Sequence, residues 1–473
     1  MTRQNILIIT DDSLGARMAG PAIRAWNIAE VLSAHHDVRL ASTRRAEASS
    51  PHFAVCDGSG PMLAGLAEGM DIILLQGFTL RAHPWLAHVG AHLVMDMYDP
   101  LHLEILEGSR DAGDAQRTRE LAGGLEALRV QFVHGDFFLC ASERQRDMWL
   151  GYMSALGRVN FASYAQDSTL RKLIDLAPFG IEERPPMRPG DNGAIKGVID
   201  GIGPDDTVLL WAGGVYNWFD PVTLIDALGD LIAEMPTLRL LFMGTKHPSL
   251  DDLSTTVLRQ GIVRAKQRGL FDTHVFFREG WVPFSERGRY LADADVGVST
   301  HVLHAETAFS FRTRMLDYLW AGLPIVCTEG DEFAGIVERE GLGRVVREGD
   351  RSGLAAAIRA LLSDPAELAR CRAAAAVTAE RFRWQRALAP LVNYCADPWR
   401  AADSGRPQRP VGRAAHLGSM VDDRLSHLRE YVRINGFGRF LVVGTRRVVG
   451  VALRPIVGRL PPPVKLRLRR WAQ

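Results

Sequence analysis

The segment Glu306-Thr-Ala-Phe-Ser-Phe-Arg-Thr-Arg314-Met-Leu-Asp317 brings together guanidinium groups, a carboxylate and a predicted helix start. Ribose and phosphate need these: backbone N–H groups and a fixed cation for the anion, and a carboxylate for vicinal hydroxyls. Residues Ser310–Arg314, with Phe311, Arg312 and Thr313 between them, are expected to form the first helical turn and to present free amides. Asp317 follows Arg314 by three residues and shares its helix face. The same spacing also fits an ordinary amphipathic helix with a solvated basic start.

A second cluster, Asp96-Met-Tyr98-Asp99-Pro100-Leu-His102-Leu-Glu104, follows a predicted strand. Asp99 first, then Asp96 and His102, could orient or deprotonate a hydroxyl group there. A turn in which Asp99-Pro100 opens a helix, with His102 on its surface, explains the same residue types. Ser142-Glu-Arg-Gln145 has the pattern of a capping box and is read as structural.

These residues need a scaffold. Short apolar runs at Asn5–Thr10, Asp37–Ala41, Asp71–Leu75, His92–Met95 and Phe137–Cys140 alternate with helical stretches, which implies parallel strands covered on both faces. A Pro- and Gly-rich stretch, Arg184–Gly193, breaks the series. Alternation then resumes with strands at Thr207–Ala212, Leu238–Met243, Val275–Phe277, Val296–Thr300 and Pro324–Cys327. Between and after them helices are expected at Pro221–Glu234, Leu250–Arg268, Phe284–Ala292, Arg314–Ala321, Phe333–Arg339, Leu354–Leu362 and Pro365–Arg383. The fold class is α/β, with two Rossmann-like domains, residues 1–185 and 194–380. Ligands are expected in the cleft between them.

Asp317-Tyr-Leu-Trp-Ala-Gly322-Leu-Pro324-Ile-Val326 resembles a signature of nucleotide-sugar-dependent GT-B glycosyltransferases, the retaining family numbered four, also described as glycosyl transferases group 1. The order of further pieces extends the resemblance from about Asn5 to about Tyr394. Leu210-Trp-Ala-Gly213-Gly214 is similar to the first strand and loop of the donor domain, and Leu241-Phe-Met-Gly244 to its second strand. Val275-Phe-Phe-Arg-Glu-Gly280-Trp281-Val282 is similar to the loop that holds the base. The resemblance implies transfer of a sugar, with retention, from a nucleotide-diphosphate donor to a hydroxyl acceptor such as a lipid-linked glycan, polysaccharide or glycolipid.

It also implies donor contacts from Gly213, Gly214, Gly280, Trp281 and Val282, and from the Met18-Ala-Gly20-Pro21-Ala-Ile-Arg24 loop through Gly20 and Arg24. Residues 381–400 resemble the helix that crosses back to the first domain, with Trp384 and Tyr394 as anchors, and Pro178–Ile181 marks a hinge. Two departures stand out. Phe309 occupies the first of the family's paired glutamate positions, Asp317 the second, and the nearest upstream acid is Glu306, three positions away. Val215–Pro221 lacks the family's Arg/Lys clamp, a role left to Arg314, Arg312 and Lys246. Alternatives are a nucleotide-sugar epimerase of the same fold and a non-catalytic partner subunit. No DxD-like metal site is expected, and no cofactor beyond the nucleotide-sugar co-substrate.

The chain has 473 residues, too many for one core, and its 47% hydrophobic, 23% charged composition suits a globular protein. Its five scattered cysteines lack CxxC spacing and fit a reducing cytoplasm. The net charge of +1, which argues against nucleic acid, hides an asymmetry. Residues 403–473 hold 15 Lys+Arg against 4 Asp+Glu, and from Tyr431 onward there are ten basic residues and no acidic one. Residues 431–473 are expected either to lie on an anionic membrane surface, making the enzyme peripheral on the cytoplasmic face, or to form a disordered basic tail.

Overall fold

The computed structural model describes residues 2–186, 193–245, 256–278 and 280–403, which belong to one compact unit. Lys246, the tail beyond Asp403 and the first turns of the helix expected from Leu250 lie outside the described residues.

The first sheet contains seven strands: β1 (Asn5–Thr10), β2 (Asp37–Ser42), β3 (Ala54–Asp57), β4 (Ile72–Gln76), β5 (His92–Asp96), β6 (Phe137–Cys140) and β7 (Ile174–Leu176). Their order is β3-β2-β1-β4-β5-β6-β7, and every pairing is parallel. Ile6 of β1 lies between Val38 and Ile72, all three buried, which is why the central strands read as continuous apolar runs. The second sheet holds β8 (Thr207–Trp211), β9 (Leu238–Phe242), β10 (Val275–Phe277), β11 (Val296–Ser299), β12 (Ile325–Thr328) and β13 (Gly343–Val346). It is also wholly parallel, in the order β10-β9-β8-β11-β12-β13. Both are doubly wound sheets whose strand order reverses beside the first strand of each half, where open α/β sheets leave a crevice.

Strands β3, β7 and β13 escape the apolar-run pattern because each is an outer strand with a partly exposed flank. Some helices are also more divided than expected. Phe284–Ala292 is a 3-10 turn, Phe284–Glu286, followed by the helix Arg287–Ala292, and the long helical ending stops at Ala379. The helix expected from Ser310 starts at Thr313. A separate short helix, Ala305–Phe309, precedes it, and Ser310–Arg312 join the two. Arg312, with extended ψ, is the N-cap of the second helix.

The chain crosses between the halves twice at one place. Ile181 N–H donates to Phe382 O at 2.8 Å, and Trp384 N–H donates to Ile181 O at 3.2 Å. Gly180 is required here: a Cβ on it would lie 2.4 Å from the Trp384 indole. Beyond the crossing, Tyr394 is fully buried, stacks on Phe137 at 4.7 Å and donates its hydroxyl to Trp399 O. Asp403 ends the described chain in an ion pair with Arg158 at 2.6 Å. Among the described residues no helix is long and apolar enough to cross a membrane.

Candidate functional site

A cleft of about 350 Å³ opens between the halves. Its first wall comes from the loop after β1 and the helix Gly20–Ser33, whose start has Pro21 in its first turn and no side-chain cap. A Cβ on Gly20 would meet only the Tyr98 hydroxyl, at 3.9 Å, so the space that glycine leaves belongs to the cleft. Tyr98, Asp99 and Glu104 continue this wall beyond the end of β5. On the opposite side the lining comprises Ala212–Gly214 after β8, Met243 and Gly244 after β9, and Trp281 and Val282 after β10. Tyr216, Trp218, Arg287, Glu306, Ser310–Arg314 and Asp317 also line it.

Arg314 is the most unusual group of this lining. It is 8% exposed, and its guanidinium lies over the rings of Phe219 at 4.1 Å and Trp211 at 4.4 Å. Nη2 donates to Gly214 O at 2.6 Å, while Nη1 is buried with no hydrogen-bond partner among the described residues. Burial without a carboxylate in contact lowers its pKa to about 10, so it remains a cation at neutral pH. The carbonyl it holds is aimed by Gly213, whose φ of 91° is in the left-handed region where glycine carries no Cβ penalty.

The neighbouring Arg312 has a different role from the free phosphate clamp anticipated. Its Nη1 and Nη2 donate to both oxygens of Glu306, at 2.9 and 2.7 Å, in a bidentate pair. Glu306, 1% exposed, is therefore committed to that guanidinium, although both residues contribute to the lining. Asp317 lies 3.9 Å from Arg287, and burial raises its pKa. Arg287 itself donates to Glu182 at 3.0 Å and stacks on Phe284 and Trp320.

On the first wall, Asp99 faces the cleft with a pKa raised to about 7, chiefly by burial and further by Asp96 and Glu306. Glu104 is raised well above the usual carboxylate range by burial and then by the charges of Asp99 and Glu306. The other three residues proposed from this side lie behind the wall. Asp96 receives Arg24 Nε at 2.7 Å, Arg24 Nη2 at 2.8 Å and Gln76 Nε2 at 2.9 Å. The remaining Arg24 bonds go to the carbonyls of Pro178 and Ala177, and both side chains of the pair are wholly buried. This ion pair braces the helix Gly20–Ser33 against β5, which replaces the donor contact expected of Arg24 and the acceptor contact expected of Asp96. His102 packs against Trp149 at 5.7 Å, outside the lining, and burial lowers its pKa.

Sequence reasoning missed Glu104, since a glutamate in the first turn of a helix reads as dipole compensation. It also missed what Gln145 does. Ser142 caps the Glu143–Ala155 helix by accepting from Gln145 N–H, but the Gln145 side chain accepts from Ala141 N–H, so the reciprocal bond of a capping box is replaced. Its Nε2 donates to Tyr98 O and to Phe309 O, each at 2.8 Å, and so ties the two walls of the cleft together. Phe309, whose side chain stands where a glutamate was anticipated, thus contributes its backbone carbonyl. Among the described residues, no three His, Cys, Asp or Glu side chains group to hold a metal ion.

Residues 206–364, which contain the whole second sheet, match the family described as glycosyl transferases group 1. The D-inositol 3-phosphate glycosyltransferase of Rhodococcus opacus (strain B4) is 27% identical over 201 residues, 42% of this chain and 42% of that protein. The match therefore spans about two-fifths of that relative's length. Among solved structures, WaaG, a glycosyltransferase involved in lipopolysaccharide biosynthesis, aligns with 83% of this chain and 100% of its own. The TM-score is 0.61 at 15% identity. Anabaena HepE, in complex with UDP-glucose, gives a TM-score of 0.59 at 15% identity over 83% of this chain and 100% of its own. The fold is GT-B.

Proposed function

We propose that this chain, a GT-B protein carrying a glycosyl transferases group 1 segment, moves a sugar from a nucleotide-diphosphate donor to a hydroxyl acceptor with retention of configuration. The observation that carries this is Arg314, a buried cation with an unused N–H at the floor of a cleft between two parallel sheets. A leaving diphosphate gains charge as the glycosidic bond breaks, and a preorganised cation in a dry site stabilises that charge far more than water does. The Gly213–Gly214 turn, Gly244 and Trp281 leave room on the same wall for the nucleotide.

The bond from the anomeric carbon to the diphosphate oxygen breaks, and a bond from that carbon to the acceptor oxygen forms. The nucleoside diphosphate departs, and the acceptor's hydroxyl proton passes to Asp99. A carboxylate titrating near 7 is suited to take that proton at neutral pH. Arg312 and Glu306 position the loop between the two short helices and leave Arg314 as the phosphate contact. The reading takes the reaction as that of a metal-independent hexosyltransferase with no cofactor besides its nucleotide-sugar donor. The same reading places the chain in the cytoplasm, which its scattered cysteines without CxxC spacing support, with the basic tail engaging an anionic membrane, which the charge of residues 403–473 supports.

The test is thermal unfolding of the full chain with UDP-, GDP- and dTDP-sugars. A bound donor at 100 times its Kd raises stability by about 2.7 kcal/mol. A chain whose melting temperature no nucleotide raises is not a glycosyltransferase but a partner subunit that keeps the fold.

A further inference from the structure

The charges lining the cleft are divided between its two walls. Arg287, Arg312 and Arg314 all come from the second half of the chain. Two of them are matched: Arg312 by Glu306, and Arg287 by Glu182 and Asp317. Among the described lining arginines only Arg314 lacks a carboxylate in contact, and it meets the demand of one anionic group, the donor diphosphate. The first half contributes Asp99 and Glu104 and, among the described residues, no Lys, Arg or His to the lining. Its nearest buried cation, Arg24, is behind the wall, with its donors directed to Asp96 and two backbone carbonyls. Tyr98 and Phe179 add aromatic surface on this side, with Tyr216 and Trp218 opposite.

We propose that the acceptor presents an uncharged polyhydroxyl group to the cleft, a sugar ring or polyol with no phosphate or carboxylate beside its reacting hydroxyl, and that Asp99 and Glu104 hold it through its hydroxyls. This rests on the glycosyltransferase assignment above and narrows its substrate class. A carboxylate accepts a charge-assisted hydrogen bond from a hydroxyl, and a protonated carboxyl donates one in return. Asp99 and Glu104 both line this wall, and a carboxyl group can accept from a hydroxyl when ionised and donate to it when protonated, which matches a hydroxyl that is donor and acceptor at once. An acceptor phosphate would instead stand against the like charge of Asp99 in a partly desolvated site, with no cation among that wall's described lining residues to offset it.

The experiment uses the full chain with the nucleotide-sugar that most raises its melting temperature. Nucleotide release is measured with glucose, mannose and myo-inositol, and with a phosphate monoester of each. The expected result is release above the acceptor-free rate with at least one neutral compound, at a kcat/KM at least tenfold above that of its phosphate ester. Glu104→Arg should narrow or invert that ratio while leaving the nucleotide-induced thermal shift in place. The proposal is overturned by a phosphate ester used as well as its neutral parent, or by a panel in which no neutral compound raises release. A chain that binds no nucleotide overturns the assignment on which it rests, and the thermal shift separates the two failures.

Discussion

Replacing Arg314 by methionine should separate activity from stability, because the physical terms at this residue oppose one another. Its pKa falls from the ordinary 12.5 to about 10 on burial, and at roughly 1.4 kcal/mol per unit this corresponds to about 3 kcal/mol by which the fold disfavours the cation. Against that stand one hydrogen bond from a charged donor, to Gly214 O, at about 1.5–3 kcal/mol, and stacking on Phe219 and Trp211, at about 1–2 kcal/mol. The net is close to zero. A methionine keeps much of the apolar stem against the two rings, so Arg314→Met should change the urea-unfolding free energy by less than about 2 kcal/mol.

Turnover should behave differently. Removing one preorganised donor to a developing anion typically costs about 3–4 kcal/mol of barrier, a loss of roughly two to three orders of magnitude in kcat. Initial rates of nucleotide release, measured beside urea titrations of the same preparations, check both halves. A folded variant that turns over within threefold of the parent would refute the assignment of Arg314 to the leaving group. A loss of more than about 5 kcal/mol in stability would refute the near-cancellation.

Four further outcomes follow from the described contacts. Activity should rise with pH to a plateau with a midpoint near 7, as Asp99 ionises, and Asp99→Asn should remove that acid limb in a pH–rate profile. The same raised pKa means that the folded state binds a proton the unfolded chain has released, so stability should fall as pH rises from about 4 to 7, and Asp99→Asn should flatten that part of a urea-midpoint profile. Arg24→Met should cost about 3–5 kcal/mol in urea unfolding because it leaves the Asp96 carboxylate buried without its cation, and Asp96→Asn in the Arg24→Met background should recover part of the loss. Tyr318→Phe should destabilise by about 1–3 kcal/mol in thermal unfolding, since its buried hydroxyl accepts from Ala212 N–H at 3.0 Å and is hydrogen-bonded to the carbonyls of Leu210 and Val298.

What could be read from the sequence was what depends on neighbours along the chain. The central strands announce themselves because both faces are buried, so β1 and β4 are apolar at nearly every position. The outer strands β3, β7 and β13 do not, because hydrogen bonding to one neighbour sustains a strand whose side chains remain polar. The site divides in the same way. The spacing of Arg314 and Asp317 put both on one helix, and both line the cleft. The fates of Arg24 and Arg312 were decided by partners the sequence does not mark. Asp96 stands 72 positions from Arg24, and Glu306 becomes a bidentate partner only because the chain bends between two short helices at Ser310–Arg312. Glu104 and Gln145 were disguised by local roles, helix-start charge and capping, that their residue types also fulfil.

The paired crossings at Ile181 and Phe382–Trp384 have a mechanical consequence. Two separate passages of backbone that are hydrogen-bonded side by side form a single pivot, and the Gly180–Trp384 contact leaves it no slack. A change in the width of the cleft about that pivot would leave the bridge intact but would have to release the Gln145 bond to Phe309 O, whereas sliding would have to break the bridge as well. Cutting the chain just before Phe382 would remove one covalent passage and leave the halves joined by the other passage and by side-chain contacts such as Gln145 to Phe309 O and Arg287 to Glu182. Such a protein would retain every lining residue of the cleft and lose the fixed path along which its walls approach each other.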